Sequence, residues 1–183
     1  MTRLKIIMMT TLTACLLMTC GSSEDIADNY SSSDLYAIIK PEDTQQIDIA
    51  PGDYVLTLDN IISVNPETGE FKVKNTERID SKAFPIPTQY LILFYSKGCL
   101  LFEAKLNSVI SSYLPSGLTF CHFISDKKGL ARYDLGATHI VNQDGKVEGM
   151  PDEQQQQGIQ RMYQILEKEG KTCNNIDYDF QYE

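Results

Sequence analysis

The segment from Tyr90 to Leu114 constrains the fold more than any other, because it carries two readings that lead to different fold classes. As a hairpin turning at Lys97-Gly98, it sets Leu93 opposite Phe102, Leu91 opposite Ala104 and Tyr95 opposite Leu100. One face is then apolar and the other carries Ser96, Cys99, Glu103 and Lys105, the alternation of a sheet covered on one side. As a strand over 90–96 followed by a helix from Leu100, the same residues put Phe102, Leu106, Val109, Ile110 and Tyr113 at helical spacing. Periodicity alone leaves both readings standing.

The surrounding chain is rich in short strands and turns. Tyr54 to Leu58, Ile61 to Val64 and Phe71 to Val73 alternate or run apolar, and Asn65-Pro66-Glu67-Thr68-Gly69 between the last two has turn chemistry. Asn75 to Thr88, with its charges, Pro85 and Pro87, reads as a connection. Leu118 to Ser125 suits a buried strand and Asp126 to Gly129 a turn. Ala137 to Val141 and Val147 to Met150 flank Asp144-Gly145, a hairpin signal. Pro151 opens a helix to Glu169, with Ile159, Met162, Tyr163 and Leu166 in one stripe, and Gly170 ends it. Ile176 to Glu183 alternates with period two and reads as a final edge strand. The expected fold is therefore α+β, a mostly antiparallel sheet over residues 54–150 with the C-terminal helix packed on it.

The N-terminus reads as an address. Basic Arg3 and Lys5 precede an uncharged run from Ile6 to Thr19, short of the roughly 20 residues that span a bilayer, and then small polar residues. Leu17-Met18-Thr19-Cys20 resembles a bacterial lipobox, whose cysteine is acylated and becomes the mature N-terminus; Leu12-Thr13-Ala14-Cys15 is a second such match, less suited because Leu16 and Leu17 would follow the cut. The resemblance implies a signal peptide at 1–19, lipidation at Cys20, membrane lipid as the first partner and anchoring to the outer membrane of the cell envelope. Residues 20–34, polar and Ser-rich, are expected to form a flexible tether, leaving 35–183 as one globular domain. Ser22-Ser23-Glu24-Asp25 behind the cysteine also resembles the surface-export signal of lipoproteins in the phylum Bacteroidota. The whole chain carries a net charge of −9, and a chain starting at Cys20 has 14 basic against 25 acidic residues, a net −11, which argues against a nucleic-acid partner.

Reactive residues are few. Removal of Cys15 and acylation of Cys20 leave Cys99, Cys121 and Cys173, with no CxxC; Cys121 reads as a small core residue. His122 and His139 have no carboxylate or cysteine at metal-ligand spacing, so no metal and no cofactor is expected, and the motifs of nucleotide and hydrolase sites are missing.

Two family resemblances follow. Residues 59–74, 93–104 and 161–171 resemble blocks of small lipoproteins of gut Bacteroidales without an assigned biochemical role. That family supplies no catalytic residue, and in it the second block is a strand-turn-strand. Tyr90 to Gly170 resembles instead the thioredoxin fold, an α/β sandwich, with 90–99 as the strand leading to an active-site cysteine and Leu130 to Thr138 as the helix before the substrate-facing loop. That resemblance implies Cys99 as a nucleophile at a helix N-terminus beside Lys97, although Phe102 stands where the resolving cysteine belongs and Ala137 where a cis-proline belongs. The favoured expectation is a lipid-anchored cell-envelope protein acting as a non-enzymatic binding or accessory module for an unknown ligand. The alternative is a thioredoxin-like, thiol-dependent protein using Cys99 alone.

Overall fold

A computed structural model describes residues 35–44, 49–83, 90–111, 115–126, 129–138, 140–141, 144 and 147–177. Cys20, the tether, His139 and the end of the expected final strand, 178–183, lie outside the described residues. Eight strands form one mixed sheet and two more a small hairpin. They are β1 (Leu35–Pro41), β2 (Leu56–Thr57), β3 (Ile61–Asn65), β4 (Glu70–Lys74), β5 (Tyr90–Ser96), β6 (Cys99–Ser108), β7 (Gly117–Ser125) and β8 (Leu130–Thr138), then β9 (Ile140–Val141) and β10 (Val147–Glu148). The helices are α1 (Glu77–Ala83) and α2 (Glu153–Lys168). Sheet order is β2-β1-β5-β6-β7-β8-β4-β3, antiparallel throughout except for the parallel pair β6 and β7.

The expectation of a mostly antiparallel α+β fold with one principal C-terminal helix agrees with this architecture. The hairpin at Lys97-Gly98 is present, its two turn residues at φ 51 and 76, the positive values of a two-residue hairpin loop. Strand β6 runs on through Ser108, so the helix from Leu100 is not formed, and residues 130–138 are a strand rather than the helix of a thioredoxin fold.

The register within the hairpin needs correcting. Ser96 pairs with Cys99 and Tyr95 with Leu100, as expected, but a bulge follows and Phe94, not Leu93, faces Phe102. Leu101 is the extra residue. A one-residue slip turns every later side chain to the other face. Ile92, Phe94 and Ser96 therefore point inward with Phe102 and Ala104, while Leu91 and Leu93 stand outside opposite Lys105 and Glu103. Those outward leucines are still buried, because Ile38 of β1 with Tyr36, Ile49, Tyr54 and Tyr95 makes a second small apolar cluster there. Both faces of the sheet are thus covered at this end.

Three further elements depart from the sequence reading. The sheet begins at β1, well before residue 54; β1 is apolar on both faces and so lacks the alternation that marks a half-buried strand. The stretch read as a connection contains α1. Residues 176–177 form no strand, and it is Thr172, just past α2, that bridges to Val64 on the edge strand β3.

The first and last strands of the sheet, β2 and β3, are consecutive in the chain, joined by a tight turn in which Ile61 N–H bonds the Leu58 carbonyl. The sheet must curl until its two edges meet. Asn60 fastens the join: its Oδ1 accepts from the N–H and the hydroxyl of Thr57 at 2.9 and 2.8 Å, and its carbonyl accepts from Lys74 N–H of β4 at 2.9 Å. The inner face so enclosed is aromatic, with Phe94 stacked on Phe102 at 4.7 Å, Phe120 stacked on Tyr133 at 4.7 Å, and Phe71 edge-on to Phe120 at 5.5 Å.

Helix α2 closes the core through Met162, Ile165 and Leu166. Its start is fixed by a capping box in which Asp152 accepts from Gln155 N–H at 2.7 Å while the Gln155 side chain accepts from Asp152 N–H at 3.2 Å. Its docking point is the bulge, where a Cβ added at Gly158 would lie 2.0 Å from the Leu101 carbonyl oxygen. Gly158→Ala is therefore expected to lower stability by about 1–3 kcal/mol despite alanine's better helix propensity, read as a fall in the urea midpoint, whereas Gln157→Ala on the exposed side should leave it nearly unchanged.

Candidate functional site

The residues singled out in the sequence do not converge. Cys99 is the first residue of β6, partly buried, opposite Ser96 across the hairpin. A strand follows it, so no helix N-terminus is aimed at its sulfur. Phe102 is buried in the aromatic core, and Ala137 lies in β8 opposite Leu118. Cys121 sits on the outer face of β7 opposite Asp134, where burial first and the Asp134 charge second push its thiol up to about 11. Cys173 follows α2 and donates its N–H to the Val64 carbonyl at 2.8 Å. All three cysteines are free thiols. Among the described residues no group of three or more His, Cys, Asp or Glu side chains is placed to hold a metal ion.

One polar cluster does form, at the far end of the core from Cys99. It gathers side chains from four elements: Asp80 of α1 with Thr76 just before it, Ser108 at the end of β6, His122 of β7 and Tyr133 of β8. Topology brings the strand residues together. Ser108 is the parallel partner of His122, and His122 is the antiparallel partner of Tyr133, so all three lie in one row across the inner face. His122 is 3% exposed, and its ring meets that of Tyr133 edge-on at 5.2 Å.

Helix α1 supplies the acid. Thr76, Ile79, Asp80 and Ala83 are spaced as one helical stripe, which turns both Ile79 and Asp80 toward the sheet. Ile79 is fully buried. The Asp80 carboxylate accepts from the Tyr133 hydroxyl at Oδ1 and from the Thr76 hydroxyl at Oδ2, the latter at 2.8 Å. His122 Nε2 lies 3.8 Å from the same Oδ1. Burial first, and the Asp80 charge second, push the Tyr133 phenol far above its ordinary value, so it stays a donor. Burial lowers the His122 pKa and outweighs the opposing pull of Asp80, so the imidazole is neutral at pH 7. Ser108 Oγ is buried with no hydrogen-bond partner among the described residues.

A neutral imidazole beside a shared carboxylate is chemistry that many sites use, but here His122 and Tyr133 are buried while Asp80 keeps about a fifth of its side chain exposed. The arrangement fastens a helix to a sheet. Sequence reasoning noticed His122 as a lone imidazole and missed its partners, because Asp80 stands 42 residues away in a stretch read as a connection. The helical stripe from Thr76 to Ala83 was the available signal.

Two surface features complete the picture. On the outer face, Tyr36 stacks between Tyr54 at 4.1 Å and Tyr95 at 5.3 Å, and Tyr95 pairs with the exposed Leu100. At the other end of β6, Val109 donates its N–H to the His122 carbonyl, which sets it beside Phe123; Val109, Ile110 and Phe123 are exposed, Ile110 at 73%. The Arg132 guanidinium lies 4.4 Å over the Phe123 ring and is held by Asp134 and Glu70.

No protein-family model matches this chain, and neither a curated protein nor a solved structure does.

The bond between Tyr133 and Asp80 has a checkable weight. Tyr133→Phe should cost about 1.5–3 kcal/mol, the value of a hydrogen bond to a charged acceptor, and clearly less when made in an Asp80→Ala background. Equal losses in the two backgrounds, measured by chemical unfolding, would show that the bond contributes nothing.

Proposed function

We propose that this chain is a lipid-anchored protein of the bacterial cell envelope, exported on residues 1–19 and acylated at Cys20, whose globular part acts as a binding or accessory module rather than an enzyme. The observation that carries the reading is the lipobox-like Leu17-Met18-Thr19-Cys20 at the end of an uncharged run behind Arg3 and Lys5. One acyl chain holds a protein to a bilayer only marginally, and two or more hold it stably. Among the described residues no helix is long and apolar enough to cross a membrane, so in this reading attachment rests on Cys20.

The disposition of the domain supports a display role. The tether leads into β1 at Leu35, which pairs with Ser96 beside the Lys97-Gly98 turn, at the start of β6. Exposed Val109, Ile110 and Phe123 lie at the opposite end of β6. The chemistry-bearing His122, Tyr133 and Ser108 are buried, and a strand rather than a helix follows Cys99, which favours this reading over the thiol-dependent alternative.

Replacing Cys20 with Ala in the full-length protein should move it from the membrane to the soluble fraction and abolish incorporation of labelled fatty acid. The Cys15→Ala protein should remain lipidated and membrane-bound. If Cys20→Ala still partitions with membrane and carries lipid, the anchoring assignment is wrong.

A further inference from the structure

Strand β3 lies at the edge of the sheet, and apart from a register shift between Ile61 and Ser63 its sequence has none of the devices that keep an edge from pairing with another chain. It contains no charged residue and no proline, Ile61, Ile62 and Val64 are β-branched, and Ile62 is exposed. What blocks this edge is the chain leaving α2. The Val64 N–H donates to the Lys171 carbonyl at 2.8 Å, the Cys173 N–H donates to the Val64 carbonyl at 2.8 Å, and the Lys171 ammonium donates to the Ile61 carbonyl. Thr172 thus stands in the place of a ninth strand, parallel to β3, for a single rung. Farther along, the Asn65 side chain donates to the Asn174 carbonyl at 3.1 Å, the Lys72 ammonium donates to the Asp177 carbonyl at 2.6 Å, and Ile176 is buried. We propose that residues 171–177 are a removable guard, and that the edge of β3 beneath them is a pairing site for a second copy of this chain.

The guard can leave without disturbing the helix it follows. Helix α2 is closed by Gly170 N–H to the Glu167 carbonyl and Lys171 N–H to the Leu166 carbonyl, with Gly170 at φ 66, and both bonds lie on the helix side of the Lys171 carbonyl. The bonds that hold residues 171–177 to β3 and β4 join them to backbone groups and to the long side chains of Lys171 and Lys72, and water can take the place of each. Ile176 is the buried apolar side chain that resists release. A second copy fits the uncovered edge for a geometric reason. Val64 presents both its N–H and its carbonyl outward, and an antiparallel hydrogen-bonded pair exchanges both groups of one residue with its partner. A two-fold axis brings the same edge to itself in the antiparallel sense, so each copy supplies what the other lost with its guard. The five residues of β3 offer a longer ladder than the single rung at Thr172, and they meet without opposing like charges within the strand.

The test compares the full chain with its Cys173→Pro variant, which lacks the donor to the Val64 carbonyl, by sedimentation and hydrogen exchange over a range of protein concentration. The variant should self-associate at a concentration about tenfold or more below that of the unaltered chain. Its Val64 amide should exchange freely in dilute solution and regain protection as association proceeds, while amides 158–166 of α2 stay protected throughout. Adding Ile62→Lys, a charge on the exposed side of the edge, should return association to the level of the unaltered chain. Association that persists with Ile62→Lys, or a Val64 amide that opens with no gain in association, would overturn the pairing site. Should Cys173→Pro unfold α2, the pair Lys72→Met and Lys171→Met loosens the same segment through side chains alone and is read in the same way. A Val64 amide that stays closed in both variants, or loss of α2 in both, shows a fixed part of the fold instead of a removable guard and overturns the proposal equally.

Discussion

The extra residue at Leu101 in β6 sets the terms for the rest of the molecule. Without that bulge, the hairpin from Tyr90 would keep its pairing from the turn to its base, and Leu91 and Leu93 would face inward with Phe102 and Ala104. With it, Ile92 and Phe94 enter the core and the leucines pass to the outer face, where β1 and residues 49–54 bury them. Both leucines and both inward residues thereby stay out of water, at the cost of one ladder irregularity. The same bulge turns the Leu101 carbonyl toward α2, and only a residue without Cβ fits there. Register of the central hairpin, burial of two faces and seating of the main helix are one decision rather than three.

Curling of the sheet follows from a second constraint, that its edge strands are neighbours in the chain. A two-residue strand such as β2 has little pairing energy of its own. It is retained because Leu56 and Leu58 are buried and because Asn60 ties Thr57 on one side of the join to Lys74 on the other. The remaining edge, β3, is covered by the chain leaving α2, through Val64 N–H to the Lys171 carbonyl and Cys173 N–H to the Val64 carbonyl. Open edges invite pairing with other chains, and these contacts leave little of either one to offer.

How much of this the sequence discloses depends on whether the determinant is local. Lys97-Gly98, Asn65 to Gly69 and the Asp152 to Gln155 cap are local devices, and each is legible from residue type alone. Strand β1 is not, because a strand buried on both faces shows an apolar run instead of alternation and here follows a polar stretch. The bulge is invisible because Leu100, Leu101 and Phe102 are all apolar, so neither register is penalised by composition. The parallel pairing of β6 with β7 runs against the prior for strands separated by so short a connection, which favours antiparallel neighbours. The Asp80 cluster fails for the same reason at longer range: Asp80, His122 and Tyr133 become neighbours only once β7 and β8 are paired and α1 is laid across them. A seven-residue helix with a single buried isoleucine leaves a faint periodic trace.

The two ends of β6 carry different groups. A ten-residue strand rising about 3.3 Å per residue spans about 30 Å. At its start lie Cys99, the Lys97-Gly98 turn and Leu35. At its end lie Ser108, His122 and the exposed Val109, with α1 held against them. The exposed apolar residues therefore stand at the opposite end of the strand from Leu35. The core between the ends is dense with stacked rings, and close-packed interiors deform little.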